Sequence, residues 1–124
     1  EYMNAMVAAI QHRNPEDFVI ATGRTETVRN LAKMAFQKAG IEIEFSGDGK
    51  DEVGTVKSTD SETAVSIGQT VIAIDPNYYR PTEVDSLIGD ASKANHLLNW
   101  QAKVSLEDLI EEMVESDLKS ICQQ

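Results

Sequence analysis

Gly40 separates two periodicities that cannot belong to the same element. Before it, Val28, Leu31, Ala32, Ala35 and Phe36 recur at intervals of three and four residues, the stripe of an amphipathic helix. After it, Ile41, Ile43 and Phe45 alternate with Glu42 and Glu44, the period of a strand with one face buried. A helix stopped by glycine and followed at once by a half-buried strand commits this part of the chain to a layer of helix on sheet.

The rest of the sequence extends that pattern. Met3, Met6, Val7 and Ile10 predict a first helix over residues 2–12, closed by Asn14-Pro15-Glu16. No capping residue precedes it, and the helical pattern is already running at the first residues, which sets the expectation that further sequence lies upstream. The apolar run Phe18-Val19-Ile20-Ala21, ended by Thr22-Gly23, predicts a buried strand. Thr25 or Thr27 can cap the helix that Gly40 ends. Residues 46–68 carry Gly47, Gly49 and Gly54 among charged and polar residues. They predict loop with one short strand around 53–56. Residues 70–74 predict a further strand, closed by Asp75-Pro76. Asp90 is the expected N-cap of a helix reaching Leu98. Ser105 and Asp108 approximate a capping box for a last helix whose apolar face is Leu106, Leu109, Ile110, Met113, Val114 and Ile121. The expected fold class is α/β of the mixed α+β kind, as one compact domain over residues 1–124.

Composition narrows the function classes. With 41% hydrophobic residues in 124, a core is available, and no apolar run approaches the roughly 18 residues of a membrane span. The start, Glu1-Tyr2-Met3-Asn4, lacks the basic and apolar regions of a signal peptide. The single cysteine, Cys122, cannot form a disulfide within one chain, which fits a reducing, cytoplasmic setting. His12, His96 and Cys122 show no metal-ligand spacing. The net charge of -10 argues against nucleic-acid binding, which draws on basic patches. It does not argue against a small anionic ligand, because one well-placed arginine can hold a phosphate in an acidic protein.

Two catalytic signatures are missing from the sequence. Gly47 and Gly49 begin the G-x-G-x-x-G spacing of a dinucleotide site, but Glu52 stands in the third position, so the cluster reads as turn chemistry. A Tyr-x-x-x-Lys acid/base pair is absent: Met6, Thr82 and Glu83 follow Tyr2, Tyr78 and Tyr79 at the required distance. There is no P-loop and no G-x-S-x-G elbow.

One polar constellation stands out, Asp75-Pro76-Asn77-Tyr78-Tyr79-Arg80-Pro81-Thr82-Glu83-Val84-Asp85. It follows an apolar strand and is stiffened by two prolines, and such loops are common ligand sites. Arg80 offers a planar fork for a diphosphate. Glu83 can accept two hydrogen bonds from a ribose diol or a base edge. Tyr78 and Tyr79 offer flat faces and hydroxyls. On pattern alone the alternative is a surface turn in which Arg80 and Glu83 pair with each other.

These residues resemble a known family. The string from Tyr78 to Asp85, then Gly89-Asp90, Lys93-Ala94 and Leu98-Asn99-Trp100, looks like the C-terminal region of GDP-mannose 4,6-dehydratases. So do Pro15-Glu16-Asp17-Phe18-Val19-Ile20-Ala21-Thr22-Gly23 with Val28-Arg29, and the end, Glu112-Met113-Val114 with Asp117. The resemblance covers essentially the whole chain. It implies the small substrate-binding domain of an extended short-chain dehydrogenase/reductase, without the N-terminal Rossmann domain that binds NADP. The family reaction oxidises C4 of the mannose, eliminates water across C5 and C6, and returns the hydride to C6, giving GDP-4-keto-6-deoxymannose. The glycine fingerprint and the catalytic residues of the family lie in the part this chain lacks, so no catalytic residue and no cofactor site carries over. The family's nucleotide-contacting arginine and glutamate match Arg80 and Glu83, and the first tyrosine of its YYRP string matches Tyr78.

The resemblance therefore implies weak binding of GDP or GDP-mannose through Tyr78, Arg80 and Glu83 by a catalytically incomplete chain. It also implies a docking face for a Rossmann-domain partner. The first helix, with Met3, Met6, Val7 and Ile10, is the candidate for that face, and a homodimer is the expected way to cover it. The competing readings are a stand-alone nucleotide-sugar-binding or protein-interaction module, and part of a related nucleotide-sugar epimerase or reductase.

Overall fold

The computed structural model describes residues 1–60, 64–80 and 86–121. The elements run α1 (Tyr2–Gln11), α2 (Val28–Lys38), β1 (Ile41–Ser46), a 3-10 turn (Gly49–Asp51), β2 (Val53–Thr59), β3 (Thr70–Ala73), α3 (Ser92–Leu98) and α4 (Leu106–Ile121). The strands form one antiparallel sheet in the order β1-β2-β3. The mixed α/β class expected from the two periodicities is therefore the class observed. Contacts divide the chain into two compact units. One comprises Glu1–Thr25 with Val84–Ser105, the other Glu26–Glu83 with Leu106–Gln124.

In the second unit the sequence punctuation operates as read. Thr27, not Thr25, caps α2, its Oγ1 accepting from the Asn30 amide at 3.1 Å. Gly40 ends the helix at φ +77°, a conformation that costs glycine no Cβ clash. β1 then buries Ile41 and Ile43 and exposes Glu42 and Glu44. Ile41, Ile43 and Val56 make the core, with Ala32, Phe36 and Ala39 packed on it from the helical side and Phe45, Val71 and Ile72 from the sheet. β2 is longer than the expected 53–56. Its polar half, Lys57-Ser58-Thr59, has no apolar signal but pairs with the start of β1, Ile41 opposite Thr59 and Glu42 opposite Ser58. Glu42 anchors this extension, accepting from Lys57 Nζ at 2.8 Å and from Ser58 Oγ at 2.9 Å. β3 stops one residue short of Ile74. On α4, Ile110 is buried and Leu106 and Val114 are half-buried, whereas Leu109, Met113 and Ile121 of the expected apolar face are exposed. Lys38 of α2 pairs with Glu111 of α4 at 2.8 Å.

The first unit is built on small residues. Ala5 and Ala94, fully buried, let α1 and α3 approach the ring of Trp100, and Phe18, Ile20, Leu98 and Ala102 fill in around them. The Trp100 indole N–H donates to the Glu1 carbonyl at 3.2 Å, and the Tyr2 ring stacks tilted against it at 5.6 Å.

Two expectations are corrected in this unit. Phe18-Val19-Ile20-Ala21 is not a strand of the sheet. Phe18 and Ile20 are half-buried and Val19 is exposed, as in a strand, but the inward side chains pack on the helical cluster instead of a sheet face. Gly89 lies so close to this segment that a Cβ on it would come within 2.5 Å of the Ala21 Cβ. Even so, no ladder joins them among the described residues. The second correction concerns Asp90. The cap of α3 is Ala91, one residue later. Asp90 Oδ1 accepts from the Ser92 amide at 2.9 Å and from the Ser92 hydroxyl, closing a turn two residues long that sets up the helix from outside it.

Candidate functional site

The loop after β3 opens with a turn made by its own side chains. Asp75 Oδ1 accepts from both the backbone N–H and the side-chain Nδ2 of Asn77, each at 2.9 Å, and the Asp75 carbonyl accepts from the Tyr78 amide at 3.0 Å. An aspartate that bonds the backbone two residues on mimics a tight turn, so the Asp75-Pro76-Asn77 stretch fixes where residues 78–80 start. Tyr78 is then 83% exposed and Tyr79 only 41%. Arg80 is exposed, and no hydrogen bond or ion pair engages its guanidinium among the described residues. Glu83 lies outside the described residues, and with it the alternative Arg80–Glu83 pair. The structure thus places Tyr78 and Arg80 on one short, open segment.

Gly47 and Gly49 sit at φ +87° and +55° in the β1–β2 connection, which leads through the 3-10 turn into an antiparallel strand. A dinucleotide cradle requires a glycine turn between a strand and the N-terminus of a helix in a parallel βαβ unit. These glycines do not fit NADP; they serve the turn. Among the described residues no group of histidines, cysteines or acids could hold a metal ion. His12 donates from Nδ1 to the Asn14 carbonyl at 2.8 Å and lies edge-on to Phe18.

The first unit holds a pocket of about 320 Å3 whose polar lining includes Thr22, Asp90, Ser92, Asn95, His96 and Gln101. Sequence reasoning did not assign these residues to a site. Each block is visible in the chain as turn or helix punctuation, but only the packing of 21–23 and 89–92 beside Trp100 brings them together. The two hydrogen bonds from Ser92 hold the Asp90 carboxyl below the ordinary carboxylate range. Asp90 is therefore an anion at neutral pH. No described helix is long and apolar enough to cross a membrane.

Comparison with known proteins identifies the family. A family model described as GDP-mannose 4,6 dehydratase matches residues 1–113. The chain belongs to the GDP-mannose 4,6-dehydratase family. It is 44% identical over 121 residues to a GDP-mannose 4,6-dehydratase of Yersinia enterocolitica, covering 96% of this chain and 32% of that protein. It is 43% identical over 119 residues to a GDP-mannose 4,6 dehydratase of Drosophila melanogaster, covering 96% and 28%, and 41% identical over 121 residues to one of Dictyostelium discoideum, covering 98% and 32%. The chain thus spans about a third of the length of these dehydratases. The resemblance carried by the strings around Tyr78–Asp85 and Leu98–Trp100 is a true family relationship, and it extends through all the elements up to the middle of α4.

Proposed function

We propose that this chain is the sugar-nucleotide-binding part of a GDP-mannose 4,6-dehydratase, and that Arg80 holds the diphosphate of GDP-mannose with Tyr78 and Glu83 as its companions. The observation that carries this reading is Arg80 itself, an exposed guanidinium without a partner among the described residues, on a segment fixed by the Asp75 turn, within the family match. A guanidinium fork suits a diphosphate bidentately. Tyr78, with most of its surface free, can lay a ring against the nucleoside. The family's oxidation, dehydration and hydride return need NADP and an acid/base pair. In this reading they belong to the rest of the family architecture, and this chain binds and orients the sugar nucleotide in a cytoplasmic setting.

The same reading gives α1 a role as a contact surface. Met3, Met6, Val7 and Ile10 are all exposed, and contiguous apolar surface of this kind is normally covered in solution. A Rossmann-domain partner or a second copy of the chain would cover it, and sedimentation equilibrium reads the second case directly.

Calorimetric titration of the 124-residue chain with GDP and GDP-mannose tests the site. Weak binding is expected, because a site normally surrounds most of its ligand, and Arg80→Ala should remove it. Equal binding by wild type and Arg80→Ala would overturn the assignment.

A further inference from the structure

Tyr79 separates the two proposed ligand contacts, and its own surroundings are different. An ideal Cβ on Gly49 would lie 3.2 Å from Tyr79 Oη and 3.8 Å from Cζ. The hydroxyl end of Tyr79 therefore borders the space that a side chain at residue 49 would fill, and residue 49 is itself in the left-handed conformation at φ +55°. The turn under it is clamped at several points. The Asp51 amide donates to the Asp48 carbonyl at 3.1 Å and the Glu52 amide to the Gly49 carbonyl at 3.4 Å. From α2, Arg29 Nε donates to Glu52 Oε1 at 2.7 Å, and the Glu52 side chain is only 18% exposed. The same guanidinium stands 5.8 Å from the centre of the Phe45 ring on β1. Helix, strand, turn and the 78–80 segment are mechanically connected through these contacts.

We propose that Gly49 and Tyr79 form a seat that fixes the backbone on either side of Tyr79, so that Tyr78 and Arg80 are presented already ordered to the ligand. Gly49 and Tyr79 are then positioning residues that act through Arg80, and the absence of a side chain at 49 is a requirement of the site as well as of the turn. This rests on the reading that Arg80 holds the sugar nucleotide. The physical basis is preorganisation: a segment ordered before binding loses less conformational freedom when the ligand arrives.

The contact distances dictate the test. Gly49→Ala places a methyl group 3.2 Å from the Tyr79 hydroxyl, closer than ordinary contact, so the hydroxyl end of the tyrosine must shift by a few tenths of an ångström. Tyr79→Phe deletes the one atom that clashes and leaves a ring carbon at 3.8 Å, an ordinary contact distance. Gly49→Ala should raise the Kd for GDP-mannose about three- to tenfold, the scale of one freed, rotamer-rich side chain. Tyr79→Phe alone should change it by less than about twofold, because the ring is kept and its Cζ edge still borders residue 49. The double variant should bind like wild type. Backbone strain from alanine at positive φ is common to the single and the double variant. A role limited to that strain therefore lowers Tm in both and allows no rescue.

The second readout needs no ligand. In the free chain, the backbone amide heteronuclear NOE of Arg80 should fall in Gly49→Ala and recover in the double variant. The seat is overturned if Gly49→Ala matches wild type in this NOE, or if the double variant remains as mobile as Gly49→Ala. Failure of Arg80→Ala to alter binding overturns the site reading, and the NOE comparison still decides the seat.

Discussion

In the unit built on the sheet the buried cluster is Ile41, Ile43 and Val56, with Ile110 buried apart from it on α4; in the unit built on α1 and α3 the buried cluster is Ala5, Ala94 and Trp100. The first set consists of β-branched residues on adjacent strands, each of moderate size, arranged by alternation so that every second residue turns inward. The second set is one large ring met by two methyl groups. α1 therefore turns its small residues inward and leaves Met3, Met6, Val7 and Ile10 exposed, while β1 does the reverse and exposes only the polar Glu42, Glu44 and Ser46. The sheet unit distributes its burial over several equivalent side chains. The helical unit concentrates it in one, and keeps an apolar helix face available for something else.

The sharpest way to break this contrast is to remove Trp100. Truncating a buried aromatic costs about 3–5 kcal/mol, and the two alanines facing Trp100 offer nothing to collapse into the space. Trp100→Ala should lower the unfolding free energy by that amount in urea titrations followed by circular dichroism. A loss below about 1 kcal/mol would mean that the helical unit does not depend on a single ring.

The exposed face of α1 should respond in the opposite way. Met6→Ser with Ile10→Ser should shift stability by no more than about 0.5 kcal/mol, as for ordinary surface positions. The pair should nonetheless abolish concentration-dependent association in sedimentation equilibrium. If the wild-type chain sediments as a single monomer at high concentration and moderate salt, self-association is not what covers this face.

The smallest effect separates neither region from the other. In the helical unit Glu16 is held below the ordinary carboxylate range by its hydrogen bond from Lys93, then by the charge of that lysine. In the sheet unit Glu42 is lowered by hydrogen bonds from Lys57 and Ser58, and Lys57 is raised in turn by its bond to Glu42. Carboxylates lowered in the folded state add stability that is complete above the ordinary carboxylate range and lost as pH falls through their folded values. The raised lysine adds stability that is complete below the ordinary lysine range and lost as pH rises through its raised value. A flat stability plateau through neutrality should therefore decline in acid, and Glu16→Gln or Glu42→Gln should each flatten that decline slightly. Both pairs are solvent-exposed, so the change should be small. Acid limbs identical to wild type in both variants would show that neither pair contributes.

Much of this protein could be read from its sequence because the signals were local. Gly40, the stripe of α2 and the alternation of β1 each depend on neighbours a few residues away, and backbone sterics decide them. The family strings could be read for a different reason: runs such as Tyr78 to Asp85 are continuous in the sequence, so their resemblance needs no folding to be visible. The loop position of Tyr78 and Arg80 followed from Asp75-Pro76 and Pro81. Other features were settled only when distant segments met. The polar end of β2 became strand because Glu42, 16 residues before Ser58, supplied partners for it. Phe18 to Ala21 has the composition of a strand, but its inward side chains found a helical cluster instead of a sheet, and composition cannot distinguish those two destinations. The stripe of α1 predicted a helix correctly, yet helical periodicity shows only which residues share a face. Whether that face is buried depends on what packs beside it, and here the close approach of Ala5 to Ala94 and Trp100 turned the larger residues outward. The contact between Tyr79 and Gly49 is of the same kind: 30 residues apart in the sequence, they meet because the sheet brings the β1–β2 turn and the loop after β3 together.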